Sequence, residues 1–343
     1  MQNSTNPLQN DKSTINKIHA AIEDSQKILL VAHPRMDGDA LGSLLGLYFL
    51  IAENYKDKEF QLVSQTDYAD ELKFLPGTDL LVQNNELIES YDAETMIALD
   101  SGGFSRVRDV VRKCNPKHLI NIDHHPTNDG FGTIVLIRPD MSSVGEMIFY
   151  MAQMLGWRIQ TESAACLYTA VLTDTGNFTY SNTKESSFRA AAALVETGAN
   201  PAEIAANLYR NNSLSDFMLE ARIVSRIKLV NNGLFAISYY TSQDIEELCC
   251  NLKDTNILIN KIKSIRGTQI ASLVMPGIEE GTVKVSLRGE GFHDLSQIAH
   301  EFFNGGGHPR ASGFTFHGTH EQAIAEVIKT IAPLCIANLP QKF

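Results

Sequence analysis

Runs of aliphatic and β-branched residues alternate with segments of helical period through the first half of the chain. The runs at 27–32 (KILLVA), 60–64 (FQLVS), 95–99 (TMIAL) and 118–122 (HLINI) predict buried strands. Helices are predicted over 13–24, 39–54, 143–155, 162–172 and 184–196. Strand and helix in alternation imply α/β architecture, a parallel sheet with helices on both faces. Gly198-Ala199-Asn200-Pro201 stops the last of these helices with a glycine cap followed by proline. The segment 202–228 is helical in pattern, with a break at Asn211-Asn212-Ser213. From Leu234 the pattern turns to strand-like runs at 234–240, 270–276 and 282–289, with helices over 245–250, 295–303 and 321–331. This predicts a second, smaller α+β domain, so the chain divides into 1–200, a helical linker 201–230, and 231–343.

Composition narrows the class. The 343 residues suffice for two cores, and 43% apolar with 20% charged residues is globular composition. The net charge of −11 disfavours sequence-blind binding along a nucleic-acid track. The longest apolar stretch, 40–52, has 13 residues against the roughly 20 of a membrane span, so no membrane association is expected. Met1 to Thr14 is polar and lacks the plan of a signal peptide. Five cysteines without a C-x-x-C read as reduced thiols of a cytoplasmic protein.

Four acidic or histidine-bearing clusters fall at the ends of predicted elements. His33-Pro34-Arg35-Met36-Asp37-Gly38-Asp39 follows the first strand, Asp100-Ser101-Gly102 the third, Asp123-His124-His125 the fourth, and Asp174-Thr175-Gly176 closes a helix. Taken singly each is ordinary: a loop histidine, a turn with Asp39 as helix N-cap, a histidine pair on the surface. Together they are not, because the carboxyl ends of neighbouring parallel strands open on one crevice. So many carboxylates gathered there without counter-charge would cost several kcal/mol in repulsion and desolvation. A pair of divalent ions removes that cost, and Asp and His without Cys suit Mn²⁺ or Mg²⁺ better than structural zinc.

In the second half, Val283, Val285 and Leu287 alternate with Lys284, Ser286 and Arg288, a half-buried strand with one polar face. Gly305-Gly306-Gly307-His308 follows, where glycines let backbone N–H groups approach an anion.

HPRMDGDALGS (33–43), ALDSGG (98–103), NIDHHPTN (121–128) and LTDTGNF (172–178) resemble the four motifs of the DHH phosphoesterase superfamily, and GGGHPRASGF (305–314) resembles the signature of its DHHA1 accessory domain. The resemblance runs from about 15 to 335, and the size is similar to the branch of nano-RNases (oligoribonucleases) and 3′-phosphoadenosine 5′-phosphate (pAp) phosphatases. It implies an N-terminal DHH catalytic domain, 1–200, and a C-terminal DHHA1 substrate domain, 231–343. It implies two Mn²⁺ ions, with Mg²⁺ or Co²⁺ as alternatives. His33 and Asp37 would hold one ion, Asp39, His124 and Asp174 the other, with Asp100 bridging. Asp123 would orient a histidine, and His125 would face the scissile phosphate as acid or electrophile. Met36 and Ser312 depart from the pattern, where many relatives have Pro and Ala; neither is a ligand position.

By the same resemblance Arg288 and His308 would contact the distal phosphate or sugar, with the backbone of Gly305, Gly306 and Gly307. Arg266 and Arg310 are weaker candidates, and Phe292 and Phe314 are candidates for base stacking. The expected reaction is hydrolysis of short oligoribonucleotides and of pAp by hydroxide held between two ions. A cytoplasmic homodimer is expected. Three alternatives stay open: hydrolysis of pApA or cyclic di-AMP, a RecJ-like exonuclease on single-stranded DNA, and a nucleotide-binding module without turnover.

Overall fold

The computed structural model describes residues 6–83, 91–210, 213–250, 256–289 and 293–336, with the side chains of 256, 257 and 308 outside that description. The chain divides into two compact units, Met1–Asn211 and Asn212–Phe343.

In the first unit, the described strands are β1 (Lys27–Ala32), β2 (Glu59–Ser64), β3 (Leu81–Gln83), β4 (Thr95–Leu99), β5 (His118–Asp123) and β6 (Ile134–Ile137). They form one sheet in the order β3-β2-β1-β4-β5-β6, and every pairing is parallel. Its helices are α1 (Lys12–Asp24), α2 (Gly38–Asn54), α3 (Arg108–Cys114), α4 (Val144–Leu155), α5 (Thr161–Asp174), α6 (Glu185–Thr197) and α7 (Pro201–Tyr209). Strand β1 shows why the sheet needs two covers. Ile28, Leu30 and Ala32 join the large core under α1, α2, α4 and α5, whereas Leu29 and Val31 join a smaller one with Val110 and Cys114 of α3. Helices thus lie on both faces, unequally.

Strands β3 and β6 and helix α3 were not expected from the pattern. The strands are three- and four-residue edge strands, and α3 has seven residues, so each offers less than two turns of helix or two alternations of strand to read. The expected linker 201–230 carries two helices and a short strand. Pro201 opens α7 as its first residue, with Asn200 capping Glu203 N–H, so the proline that follows one helix begins the next.

The second unit contains α8 (Leu214–Ser225), β7 (Lys228–Val230), β8 (Phe235–Tyr239), α9 (Ser242–Leu248), α10 (Asn256–Lys263), β9 (Ile270–Pro276), β10 (Thr282–Gly289), α11 (Leu295–Phe303), β11 (Gly306–His308), β12 (Ala311–His317) and α12 (His320–Ile331). Its sheet has the order β11-β12-β10-β9-β8-β7. The β8–β9 pair is parallel and the others are antiparallel, the mixed sheet of an α+β unit. Val283, Val285 and Leu287 of β10 face one core with α11 and α12, while Ala271, Leu273 and Met275 of β9 face another with α8 and α10. The glycines expected as an open anion loop are an edge strand: Gly306 and Gly307 pair with Gly313 and Ser312 of β12. A side chain at Gly305 would lie 2.4 Å from the Gly313 carbonyl oxygen, so close packing alone requires this glycine.

Candidate metal centre

Register brings the first three clusters side by side. Ala32 pairs with Leu99 and Leu99 with Ile122, so the residues that follow these three at the carboxyl ends of β1, β4 and β5 begin the same rim. His33, Asp100 and Asp123 stand there. The fourth cluster arrives by helix packing. Gly38, Gly42 and Gly46 of α2 lie against Thr173, Cys166 and Leu167 of α5, so the two helices run in opposite directions. The start of α2, with Asp39, therefore meets the end of α5, with Asp174.

Among the described residues, three groups of side chains could hold a metal ion: His33, Asp37 and Asp100; Asp39, His124 and Asp174; and Asp100, His124 and His125. In each, the donor atoms lie within 4.8 Å of one another. Asp100 Oδ2 is 3.4 Å from His33 Nε2 and Asp100 Oδ1 3.6 Å from His124 Nε2, so Asp100 stands between the first two groups. His124 Nε2 is 3.8 Å from Asp39 Oδ2 and 3.6 Å from Asp174 Oδ2.

The surroundings orient the donors. His33 Nδ1 lies 2.8 Å from the Pro34 carbonyl and His124 Nδ1 3.3 Å from that of Met141. Each ring so placed donates its Nδ1 proton to a carbonyl and leaves the Nε2 lone pair facing the carboxylates. Asp37, not Asp39, caps α2: its side chain accepts from Ala40 N–H at 3.0 Å. The expectation that Asp39 caps is corrected by two residues, which leaves Asp39 inside the first turn, 1% exposed. There its carboxylate accepts from Val144 N–H (2.8 Å), Gly145 N–H (2.9 Å) and Ser43 Oγ–H (3.0 Å). The N-terminus of α4 thus orients the Asp39 carboxyl and opposes the effect of its burial.

The centre is short of positive charge. Burial, then repulsion from Asp100 and Asp174, drives the Asp39 carboxyl well above its ordinary range. Burial, with repulsion from Asp100 and Asp37 outweighing the help of His124, pushes Asp174 up to about 7. Asp100 Oδ1 is buried with no hydrogen-bond partner among the described residues. A buried, unpaired carboxylate oxygen facing imidazole lone pairs costs several kcal/mol unless a cation sits among them. The oxygen and imidazole donors and this orphaned atom fit divalent ions, and nothing in the donor set suits a soft metal.

Beside the centre, His125 Nδ1 lies 2.8 Å from Asp123 Oδ1, and this bond raises the imidazole to about 9 against the effect of its burial. Asp123 is itself buried, which opposes its charge. His125 and Asn128 overcome that and hold it below the usual carboxylate range. Asn128 sits in a quoted motif yet drew no assignment, and Asn121 in turn donates to Asn128 Oδ1 at 3.0 Å. Asn182, also unanticipated, bridges the carbonyls of Asp174 and Ser142 at 3.0 and 3.1 Å. Its partners are distant in sequence, so no local signal marks it.

Of the candidates in the second unit, Arg288 is half-buried on the polar face of β10. Gly305 gives its N–H to the Ala299 carbonyl at 2.8 Å and so has no donor left for an anion. The His308 side chain and Phe292 lie outside the described residues. Arg266 and Arg310 are exposed. Phe314 is 5% exposed and stacks on Phe303 at 4.0 Å between ring centres, so it is a core residue and the expectation of base stacking there is corrected.

Comparison with known proteins bears on the same residues. The model of the DHH family N-terminal domain matches 27–171, and that of the DHHA1 domain matches 238–335. The bifunctional oligoribonuclease and PAP phosphatase NrnA of Thermus thermophilus is 31% identical over 306 residues, covering 89% of each chain. The chain belongs to the DHH family. The protein of the same description from Bacillus subtilis is 30% identical, covering 86% of this chain and 90% of its own. The crystal structure of an exopolyphosphatase-related protein from Bacteroides fragilis superposes with a TM-score of 0.86 at 29% identity, over 94% of this chain and 98% of that one. All four clusters lie in the DHH unit, three within the matched range and Asp174 just past its end. No helix among the described residues is long and apolar enough to cross a membrane.

Proposed function

We propose that this DHH protein is a metal-dependent phosphoesterase that hydrolyses short oligoribonucleotides and converts pAp to AMP and phosphate. The observation that carries the proposal is Asp100, whose buried Oδ1 has no hydrogen bond among the described residues and stands between two sets of Asp and His donors. Relatives at 30–31% identity over most of the chain bear the names of both activities. In this reading His33, Asp37 and Asp100 would hold one Mn²⁺ and Asp39, His124 and Asp174 the second, with Asp100 available to both. When bound, the ions would neutralise phosphate oxygens and lower the pKa of the attacking water.

The residues do the rest. Asp123 holds His125 through Nδ1, which leaves Nε2 to give a proton to the leaving ester oxygen as the P–O bond breaks. Asn128 and the Gly102 N–H, 3.0 Å from Asp123 Oδ2, keep Asp123 an anion throughout. The α4 amides and Ser43 fix the orientation of the Asp39 carboxyl. In the DHHA1 unit Arg288, His308 and the backbone of Gly306 and Gly307 would bind the far end of a short substrate, and no basic track for a long strand is expected at a net charge of −11. A cytoplasmic homodimer belongs to this reading through the family resemblance.

The test offers pAp, pApA, cyclic di-AMP, an RNA 5-mer and long single-stranded DNA in parallel with Mn²⁺ and resolves the products. Turnover of pAp and the 5-mer with long DNA untouched is expected. Turnover confined to pApA and cyclic di-AMP would replace the proposal with signal-nucleotide degradation, and preference for long DNA would overturn the reading of the DHHA1 unit.

A further inference from the structure

The loop that follows Asp100 carries an arginine that the proposed ligand set does not use. Gly102 has φ +47°, in the left-handed region, and turns the chain into a short helical turn at Phe104–Arg106. The turn is pinned from two sides. Gly102 N–H donates to Asp123 Oδ2 at 3.0 Å, and Phe104 N–H donates to both Asp129 oxygens at 3.0 and 3.2 Å. Arg106 N–H closes the turn on the Gly103 carbonyl at 3.1 Å, and Val107 beyond it is fully buried.

This fixes where the Arg106 side chain starts. A methyl group placed on Gly102 would lie 3.7 Å from His125 Cγ and 3.8 Å from Arg106 Nε. The guanidinium stem and the His125 ring therefore flank the same bare glycine at the rim of the metal centre. Arg106 is exposed, and among the described residues it makes no ion pair, although the centre beside it is rich in carboxylates. The two carboxylates that pin the turn are already committed. Asp123 accepts from His125, Asn128 and backbone amides, and Asp129 accepts from Phe104. The five N–H donors of the guanidinium are left to solvent, next to the His125 ring. A planar fork of donors matches phosphate oxygens, and a bare glycine surface lets the phosphate approach.

We propose that Arg106 is a substrate-binding residue of the DHH unit, its guanidinium taking non-bridging oxygens of the phosphoryl group that is hydrolysed beside His125. The proposal rests on the phosphoesterase reading above. It makes Arg106 the residue that orients the phosphoryl group toward His125 and stabilises its charge, in pAp and in dinucleotides alike, because every substrate of the site presents that group.

The test compares wild type with Arg106→Ala and Arg106→Lys on pAp and pApA under saturating Mn²⁺, and measures binding of inorganic phosphate to the Mn²⁺-loaded proteins by calorimetry. Arg106→Ala is expected to lower kcat/KM by about 100-fold or more on both substrates. It should weaken phosphate binding about tenfold, recover part of its activity with added guanidinium, and keep the wild-type Mn²⁺ stoichiometry and melting temperature. Arg106→Lys should fall between. Wild-type turnover matched within threefold by Arg106→Ala would overturn the role of Arg106 alone. Loss of activity accompanied by lost Mn²⁺ or a lowered melting temperature would make Arg106 structural. A wild type that turns over neither substrate contradicts the phosphoesterase reading, and equal phosphate affinity in wild type and Arg106→Ala then overturns the Arg106 assignment as well.

Discussion

Gly42 on α2 and Cys166 on α5 meet so closely that a methyl group on Gly42 would stand 2.5 Å from the Cys166 carbonyl oxygen. The atom in the way is backbone, which cannot swing aside. This contact sets the spacing of the two helices whose ends carry Asp39 and Asp174, so a packing detail about one turn from the first and two from the second governs the geometry of the metal centre.

Gly42→Ala should therefore cost about 1–3 kcal/mol of stability through overpacking, and it should weaken Mn²⁺ binding as well. Chemical denaturation of the metal-free protein and Mn²⁺ calorimetry check the two effects. A variant as stable as wild type with unchanged affinity would show that the helices separate freely.

His125 owes its raised pKa, about 9, first to its bond with Asp123. Asp123→Asn removes the negative charge and most of that upward shift, so in the metal-free protein the imidazole should titrate closer to 6.5, the ordinary value. Imidazole resonances followed by NMR across pH 5–10 read this directly. An unchanged midpoint would mean that Asp100 sustains the shift.

Asp174 is pushed up to about 7 in the metal-free centre, so a cation must displace a proton to bind there below that pH. Mn²⁺ affinity should fall by about tenfold per pH unit as pH drops from 7 to 5, with proton release visible in buffers of different ionisation enthalpy. Asp174→Asn should weaken affinity above pH 7 and flatten the dependence. A pH-independent affinity in wild type would contradict the assignment.

Asp244 in the DHHA1 unit is 3% exposed and accepts from Arg226 and Arg222 while capping α9 through Thr241. The arginines outweigh burial and hold its carboxyl far below the usual range. A depressed carboxylate contributes its full stability above its unfolded pKa near 4 and loses it as pH falls through the folded value. Asp244→Ala should cost about 2–3 kcal/mol at neutral pH, discounted for the partly exposed guanidiniums, and progressively less below about pH 4. The sole tryptophan, Trp157, lies in the other unit and would miss this. Hydrogen exchange across Leu214–Ser225 and Ser242–Leu248 is the suitable probe.

The pattern of the chain announced the strands at 270–276 and 282–289 and the helix at 295–303 to the residue, because each is an uninterrupted run with one clear period. It left β11 as a glycine loop, since a strand of Gly306, Gly307 and His308 has almost no side chains to alternate. The neighbouring strand ends that gather His33, Asp100 and His124 follow from parallel topology and were legible. What holds those residues in place was not. Val144 and Gly145 reach Asp39 across more than a hundred residues, and Asn182 reaches Asp174 from beyond a left-handed turn at Gly176–Phe178. Such bonds are set by tertiary packing and leave no periodic trace. Arg106 likewise looks like any loop arginine until the chain folds it beside His125.

The central claim is that Asp100 joins two metal sites that carry out the hydrolysis. Its most direct test is Mn²⁺ titration by electron paramagnetic resonance, with pAp turnover measured on the same samples of wild type and Asp100→Ala. The account predicts two magnetically coupled Mn²⁺ per wild-type chain. In the variant it predicts loss of coupling together with a fall in turnover of about a thousandfold or more. Metal-dependent hydrolysis at near wild-type rate by Asp100→Ala would contradict it.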